Sequence, residues 1–116
     1  SVEHLRKIVL VCMNTASVMH WLPTREYKIV KEYLAKYKSF PPNLVVRLSA
    51  HMIDKNAPML KNKGESLPTS TVHKNNPFLT MVIGTKECES YKNNNECGDC
   101  RLCWNPEIKN ISYKYH

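Results

Sequence analysis

Cys88, Cys97, Cys100 and Cys103 stand with eight, two and two residues between them, and they are four of the five cysteines in the chain. Two-residue gaps let successive thiolates turn toward one centre, and Gly98 relieves the backbone crowding that such a turn produces. The intervening "ESYKNNNE" has only Tyr91 to pack, so it reads as the loop that returns Cys88 to the others. Four converging thiolates make a closed shell, which suits structural zinc or a fully ligated iron–sulfur cluster rather than a catalytic metal with an open position. A C-x2-C-x2-C run with one distant cysteine is a ligand pattern of [4Fe–4S] sites, although proline often follows the distant ligand and here Glu89 follows Cys88. Zinc accepts the same spacing, and spacing alone leaves the two open. A third reading takes "CGDC" as a dithiol redox pair, which needs a strand before it and a helix after it and leaves Cys88 and Cys103 unused. Cys12, at the end of an apolar run, reads as a small buried hydrophobe.

The other groups able to do chemistry are polar residues expected at strand ends. Asn14 and Thr15 follow a first expected strand, Ser49, His51 and Asp54 a second, and Ser70, Thr71 and His73 an extended "TSTV". Parallel strands collect such side chains at one edge, so Asn14, Ser49, His51 and His73 are expected to share a cofactor-binding edge. The two histidines and Asp54 could supply acid–base work or a second metal site, against the plainer reading of ordinary surface histidines. Arg47 interrupts an otherwise apolar strand; a guanidinium buried there calls for an acidic or phosphate partner, with Asp54 the candidate.

The elements that position these groups follow from periodicity. "KIVLVC", Lys7 to Cys12, reads as a buried strand. "REYKIVKEYLAKYKSF" repeats apolar groups at Tyr27, Val30, Leu34 and Tyr37, with Ile29 and Tyr33 widening the stripe, and reads as an amphipathic helix capped by Thr24 and stopped by Pro41 and Pro42. Tyr27, Tyr33 and Tyr37 fit a core stripe better than a base-stacking platform, and Lys28, Lys31, Lys36 and Lys38 a solvated face. "NLVVRLS", Asn43 to Ser49, is a second strand and "FLTMVIG", Phe78 to Gly84, a third, separated by mostly loop. Trp104 and Ile111 are expected to pack beside the cysteine loop and anchor the tail. Strand, crossover helix and strand predict an α/β fold: a small mostly parallel sheet with a crossover helix and a C-terminal cysteine-rich metal-binding loop, one domain over 1–116 with a metal-binding subregion at 88–116.

The length of 116 residues suits one domain, and no apolar run approaches the roughly 20 residues of a membrane span. The expectation is therefore a soluble, cytoplasmic chain whose thiols stay reduced, which favours metal over disulfides. A net charge of +7 admits nucleic acid as a partner without specifying a site. A basic, zinc-stabilised nucleic-acid-binding module is accordingly the rival to a metal-binding domain.

"CGDCRLCWNPEIKNISYKYH", with "WLPTREYKIVKEYL", "NLVVRLSAHMID" and "LPTSTV", resembles the C-terminal part of the phage and plasmid gene product 88 family, which implies a portion of a larger radical-SAM-like enzyme. The most specific stretches are Gly98 to Trp104 and Asn110 to Tyr113. The resemblance implies an iron–sulfur protein similar to radical-SAM-like barrels, since longer members carry a further cysteine-rich stretch ending in Cys-Tyr-Ala. That stretch is absent from this sequence, so the resemblance implies an auxiliary or structural site at Cys88, Cys97, Cys100 and Cys103, with a [4Fe–4S] cluster favoured over Zn²⁺. Neither cofactor specifies a reaction.

Overall fold

The computed structural model describes residues 1–74 and 84–115. The chain opens with α1 (Val2–Met13), whose first turn is capped by the Ser1 hydroxyl accepting from the His4 amide at 3.2 Å. Leu5, Val9 and Cys12 recur at helical spacing and are its buried residues. The expected strand at Lys7 to Cys12 is therefore corrected to helix. A short apolar run suits a buried strand and a buried helix equally, and here the cap and the Leu5–Val9–Cys12 stripe decide against the β-branched residues. Cys12 is buried, as read.

The first strand is instead β1 (His20–Thr24), followed by α2 (Tyr27–Tyr37) and β2 (Leu44–Ser49). Pro23 sits within β1, which its position at the sheet edge tolerates because no ladder partner needs its missing N–H. Thr24 ends β1 rather than capping α2 directly, its hydroxyl accepting from the Glu26 amide at 3.0 Å. A hairpin of β3 (Lys61–Asn62) and β4 (Glu65–Ser66) turns through Lys63 and Gly64, both at positive φ. Then come β5 (Thr69–His73), β6 (Thr85–Cys88) and β7 (Asn110–Lys114). The strand expected at Phe78 to Gly84 lies, but for Gly84, outside the described residues.

The result is a small α/β fold with two helices and a five-stranded sheet in the order β1-β2-β5-β7-β6, every pairing parallel. Side chains alternate across it. Leu44, Val46 and Leu48 point toward α1 and α2 and join Leu5, Val9, Val30 and Tyr33 in the apolar core. Tyr33 stacks on Phe40 at 5.0 Å and bonds Arg6, so the tyrosine stripe is core. Val45, Arg47 and Ser49 point to the opposite face. There the connection from β6 to β7, residues 89–109, crosses the sheet without an α-helix. Right-handed parallel crossovers that run in opposite directions along a sheet fall on opposite faces. β1 to β2 and β6 to β7 run oppositely, so α2 and the cysteine-bearing crossover are divided between the two faces.

Candidate metal centre

The crossover opens at Cys88, the last residue of β6, makes a 3-10 turn at Ser90–Lys92, and continues to a second at Leu102–Trp104. Asn94 and Asn95 take the left-handed conformation at φ 52° and 60°, which asparagine tolerates better than most residues, and Gly98 follows at φ 55°. Those positive-φ positions fold the loop back over the sheet. Arg101 fastens its tip, donating at 2.8 Å to the carbonyls of Gly98 and Cys100.

A cavity of about 700 Å³ lies under this loop, and Cys88, Cys97, Cys100 and Cys103 all line it, with Trp21, Trp104, Ile111 and Tyr113 among the remaining walls. Cys97 and Cys100 are exposed, Cys88 and Cys103 half-buried, and all are free thiols. No three His, Cys, Asp or Glu side chains among the described residues stand drawn together around a metal position. The thiols share a cavity without being closed on a point.

Two residues determine the electrostatics beneath it. Arg47 is 0 % exposed. It donates from Nε to the Cys103 carbonyl at 3.0 Å, from Nη2 to Asn105 at 2.7 Å and Leu102 at 3.3 Å, and from Nη1 to Ile108 at 2.8 Å and Thr69 at 3.3 Å. The expected acidic partner is thus corrected to five backbone carbonyls, four of them from the crossover. Asp54 instead accepts from the Lys74 amide at 3.0 Å. Burial lowers the Arg47 pKa, with Cys103 and Tyr113 opposing that shift. Tyr113 is the second residue, its hydroxyl 2.9 Å from Cys103 Sγ. Burial raises the Cys103 pKa, which Tyr113 and Arg47 pull back and the neighbouring Cys88 and Cys100 push further up. The Tyr113 phenol is raised strongly, first by burial and then by its bond to Cys103.

Trp21 meets Trp104 edge to face at 5.3 Å, and its Nε1–H is buried with no hydrogen-bond partner among the described residues. Trp104 and Ile111 both line the cysteine cavity, as expected, Ile111 from within β7. Sequence reasoning missed Trp21 and Tyr113 as cavity residues. The available signal was alternation in "NISYK", which puts Ile111 and Tyr113 on one face of a strand.

The other expected site residues lie elsewhere. None of Asn14, Ser49, His51 and His73 lines the cysteine cavity. Asn14 caps the end of α1, near Asn43 at the entry to β2, whose amide donates to Cys12, Thr15 and Val18 carbonyls. It therefore lies at the opposite end of β2 from Ser49, a consequence of the Lys7–Cys12 segment being helical. Ser49 lies 2.9 Å from Ser70 across β2 and β5. His51 is exposed with its ring 4.9 Å from Tyr27. His73 is buried on the helix-side face, its Nδ1 2.7 Å from Ser112 Oγ and its Nε2 3.7 Å from Glu87. Beside it Asn110 joins Thr69, Thr71 and Thr85 in one buried network. Ser112 and Asn110 are 0 % exposed, which makes this row a polar core rather than a reaction surface. No described helix is long and apolar enough to cross a membrane.

The donor set fits a thiolate-bound metal or cluster. Four sulfurs line one cavity, a phenol reaches one of them, a cation lies below, and an orphaned indole N–H belongs to the wall. Among known proteins, the family model described as Gene product 88 matches residues 1–106. No curated protein and no solved structure matches the chain.

Proposed function

The chain belongs to the gene product 88 family, and from that premise we propose that it is a metal-binding protein of phage or plasmid origin. It holds a [4Fe–4S] cluster at Cys88, Cys97, Cys100 and Cys103, with Zn²⁺ as the alternative. The observation that supports this reading is that all four thiols line one cavity. When bound, the cluster would supply one-electron chemistry or simply cross-link the crossover, and four protein ligands leave no iron open to substrate. An auxiliary or structural role, rather than the radical-generating role of a three-cysteine site, follows from that ligand count.

The chain's own residues do the rest. Arg47 holds the crossover on the sheet, Tyr113 orients Cys103, and the Trp21–Trp104 pair walls off one side. Visible absorption of anaerobically purified protein tests the reading: broad brown absorption is expected, and colourless protein containing zinc would transfer the site to the alternative.

One observation favours the nucleic-acid reading as a second activity. Lys74 lies over Tyr115, and Lys92 and Lys114 over Tyr91, beside a shallow cavity of about 430 Å³. Lysines beside aromatic faces suit phosphates and stacked bases. Binding to single-stranded oligonucleotides that weakens steeply with salt would support it, and no binding at low salt would exclude it.

A further inference from the structure

A buried guanidinium is stable only where something compensates its charge, and beneath the cysteine cavity nothing anionic among the described residues does so. Arg47 is wholly buried, its five hydrogen bonds all end on neutral carbonyls, and no carboxylate among the described residues pairs with it. Carbonyl dipoles satisfy the N–H groups but leave the net charge in place. Two of those carbonyls belong to Leu102 and Cys103, which line the cavity. The charge therefore lies at the Cys103 side of the cavity, near enough for Arg47 and Cys103 to act on each other. At Cys103 a second donor arrives from the sheet, the Tyr113 hydroxyl at 2.9 Å from Sγ.

We propose that Arg47 and Tyr113 stabilise the dianionic tetrathiolate complex that forms when the cavity is filled, Arg47 as its buried counter-charge and Tyr113 as a direct donor to the Cys103 sulfur. The proposal rests on the four-cysteine reading of the site and adds what the surrounding protein does to it. Four thiolates around Zn²⁺ or around a [4Fe–4S]²⁺ core leave a dianion in either case. Its charge is opposite to that of Arg47 and lies on the same side of the sheet. Filling the site removes the electrostatic cost of the buried cation, so the cation returns that energy as affinity for the occupant. The Tyr113 bond acts in the same direction, because a hydroxyl donates more strongly to a thiolate than to a thiol. Both are positioning residues: neither ligates, and each acts through Cys103.

The test compares the parent with Arg47→Gln, Arg47→Lys and Tyr113→Phe. Each reduced protein is loaded anaerobically with Zn²⁺, and separately with iron and sulfide, against a competing chelator, while far-UV circular dichroism reports the fold. Loss of a partner around a metal ligand commonly weakens binding by about tenfold or more. Arg47→Gln is expected to lose about that much affinity for both occupants, Arg47→Lys to lose less because it keeps the charge, and Tyr113→Phe to lose a smaller share with its fold unchanged. Parent-like affinity in Arg47→Gln and Tyr113→Phe would overturn the proposal while leaving the metal site standing. If Arg47→Gln fails to fold, Tyr113→Phe decides alone: weakened loading supports the proposal and parent-like loading overturns it. A parent that takes up neither occupant contradicts the reading of the site, and the proposal with it.

Discussion

Asn110 shows how much a single buried polar side chain contributes to this sheet. Its Oδ1 accepts from Thr69 at 2.8 Å and its Nδ2 donates to Thr71 and Thr85, so it ties β5, β7 and β6 together at one level. Alanine there removes three buried hydrogen bonds at once, at about 1–3 kcal/mol where a buried group is left unsatisfied. Asn110→Ala should therefore lower the unfolding free energy by about that amount in a urea titration; an unchanged midpoint would mean the hydroxyls find other partners. Cys12 makes the opposite point. It is buried on the helix-side face among Leu5, Val9 and Leu44, across the sheet from the other four thiols. Cys12→Ala should leave metal content per chain unchanged and cost stability only, about 1 kcal/mol for a small loss of buried volume. A drop in metal content in that variant would place a fifth thiol in the site.

At the scale of elements, two of the sheet's crossovers are made in different ways. Between β1 and β2 the crossover is α2, which supplies its own apolar face to the core through Val30 and Tyr33. Between β6 and β7 it is residues 89–109, in which no side chain is fully buried and which turns and Arg47 hold against the sheet. Metal binding there, as proposed, would act as local folding free energy. Cys100→Ser should accordingly loosen 89–109 in hydrogen exchange, while β1, α2 and β2 keep their protection. β7 should keep it too, because it is paired on both sides, to β5 and β6. Parent-like protection across 89–109 in the metal-treated variant would show that the four cysteines do not share a metal. The same contrast explains what was legible in sequence. The α2 stripe and the Leu44–Ser49 run carry period and composition that survive without context. β1 and β7 do not: "HWLPT" contains a proline and "NISYK" buries asparagine and serine, residues whose place in a sheet is granted by neighbours rather than by propensity. The grouping of four cysteines at one cavity was legible because their spacing is a local property, whereas Arg47's carbonyl partners and the Tyr113 contact depend on which strands become neighbours.

For the whole molecule, burial raises the pKa of several acidic groups at once: Cys12, Tyr27, Cys103 and Tyr113. In the unfolded chain these groups titrate at their ordinary values, thiols near about 8.5 and phenols near about 10. Below that range they are protonated in both states and add no pH dependence. As pH rises through it, the unfolded chain loses protons that the folded chain retains, so stability falls with increasing pH. The urea midpoint of metal-free protein should therefore be flat up to about pH 8 and decline between about pH 9 and 10.5. A midpoint that rose over that interval would mean the thiols and phenols are not buried as described.

Four thiols on the face of the sheet opposite α1 and α2 are proposed to form one cluster site. Iron and acid-labile sulfide counted on protein reconstituted anaerobically, beside a variant with Cys88, Cys97, Cys100 and Cys103 all replaced by alanine, test it most directly. The account predicts about four iron and four sulfide per parent chain, the stoichiometry of a [4Fe–4S] cluster, and essentially none in the variant. Equal iron in the two proteins, or none in the parent, would contradict it.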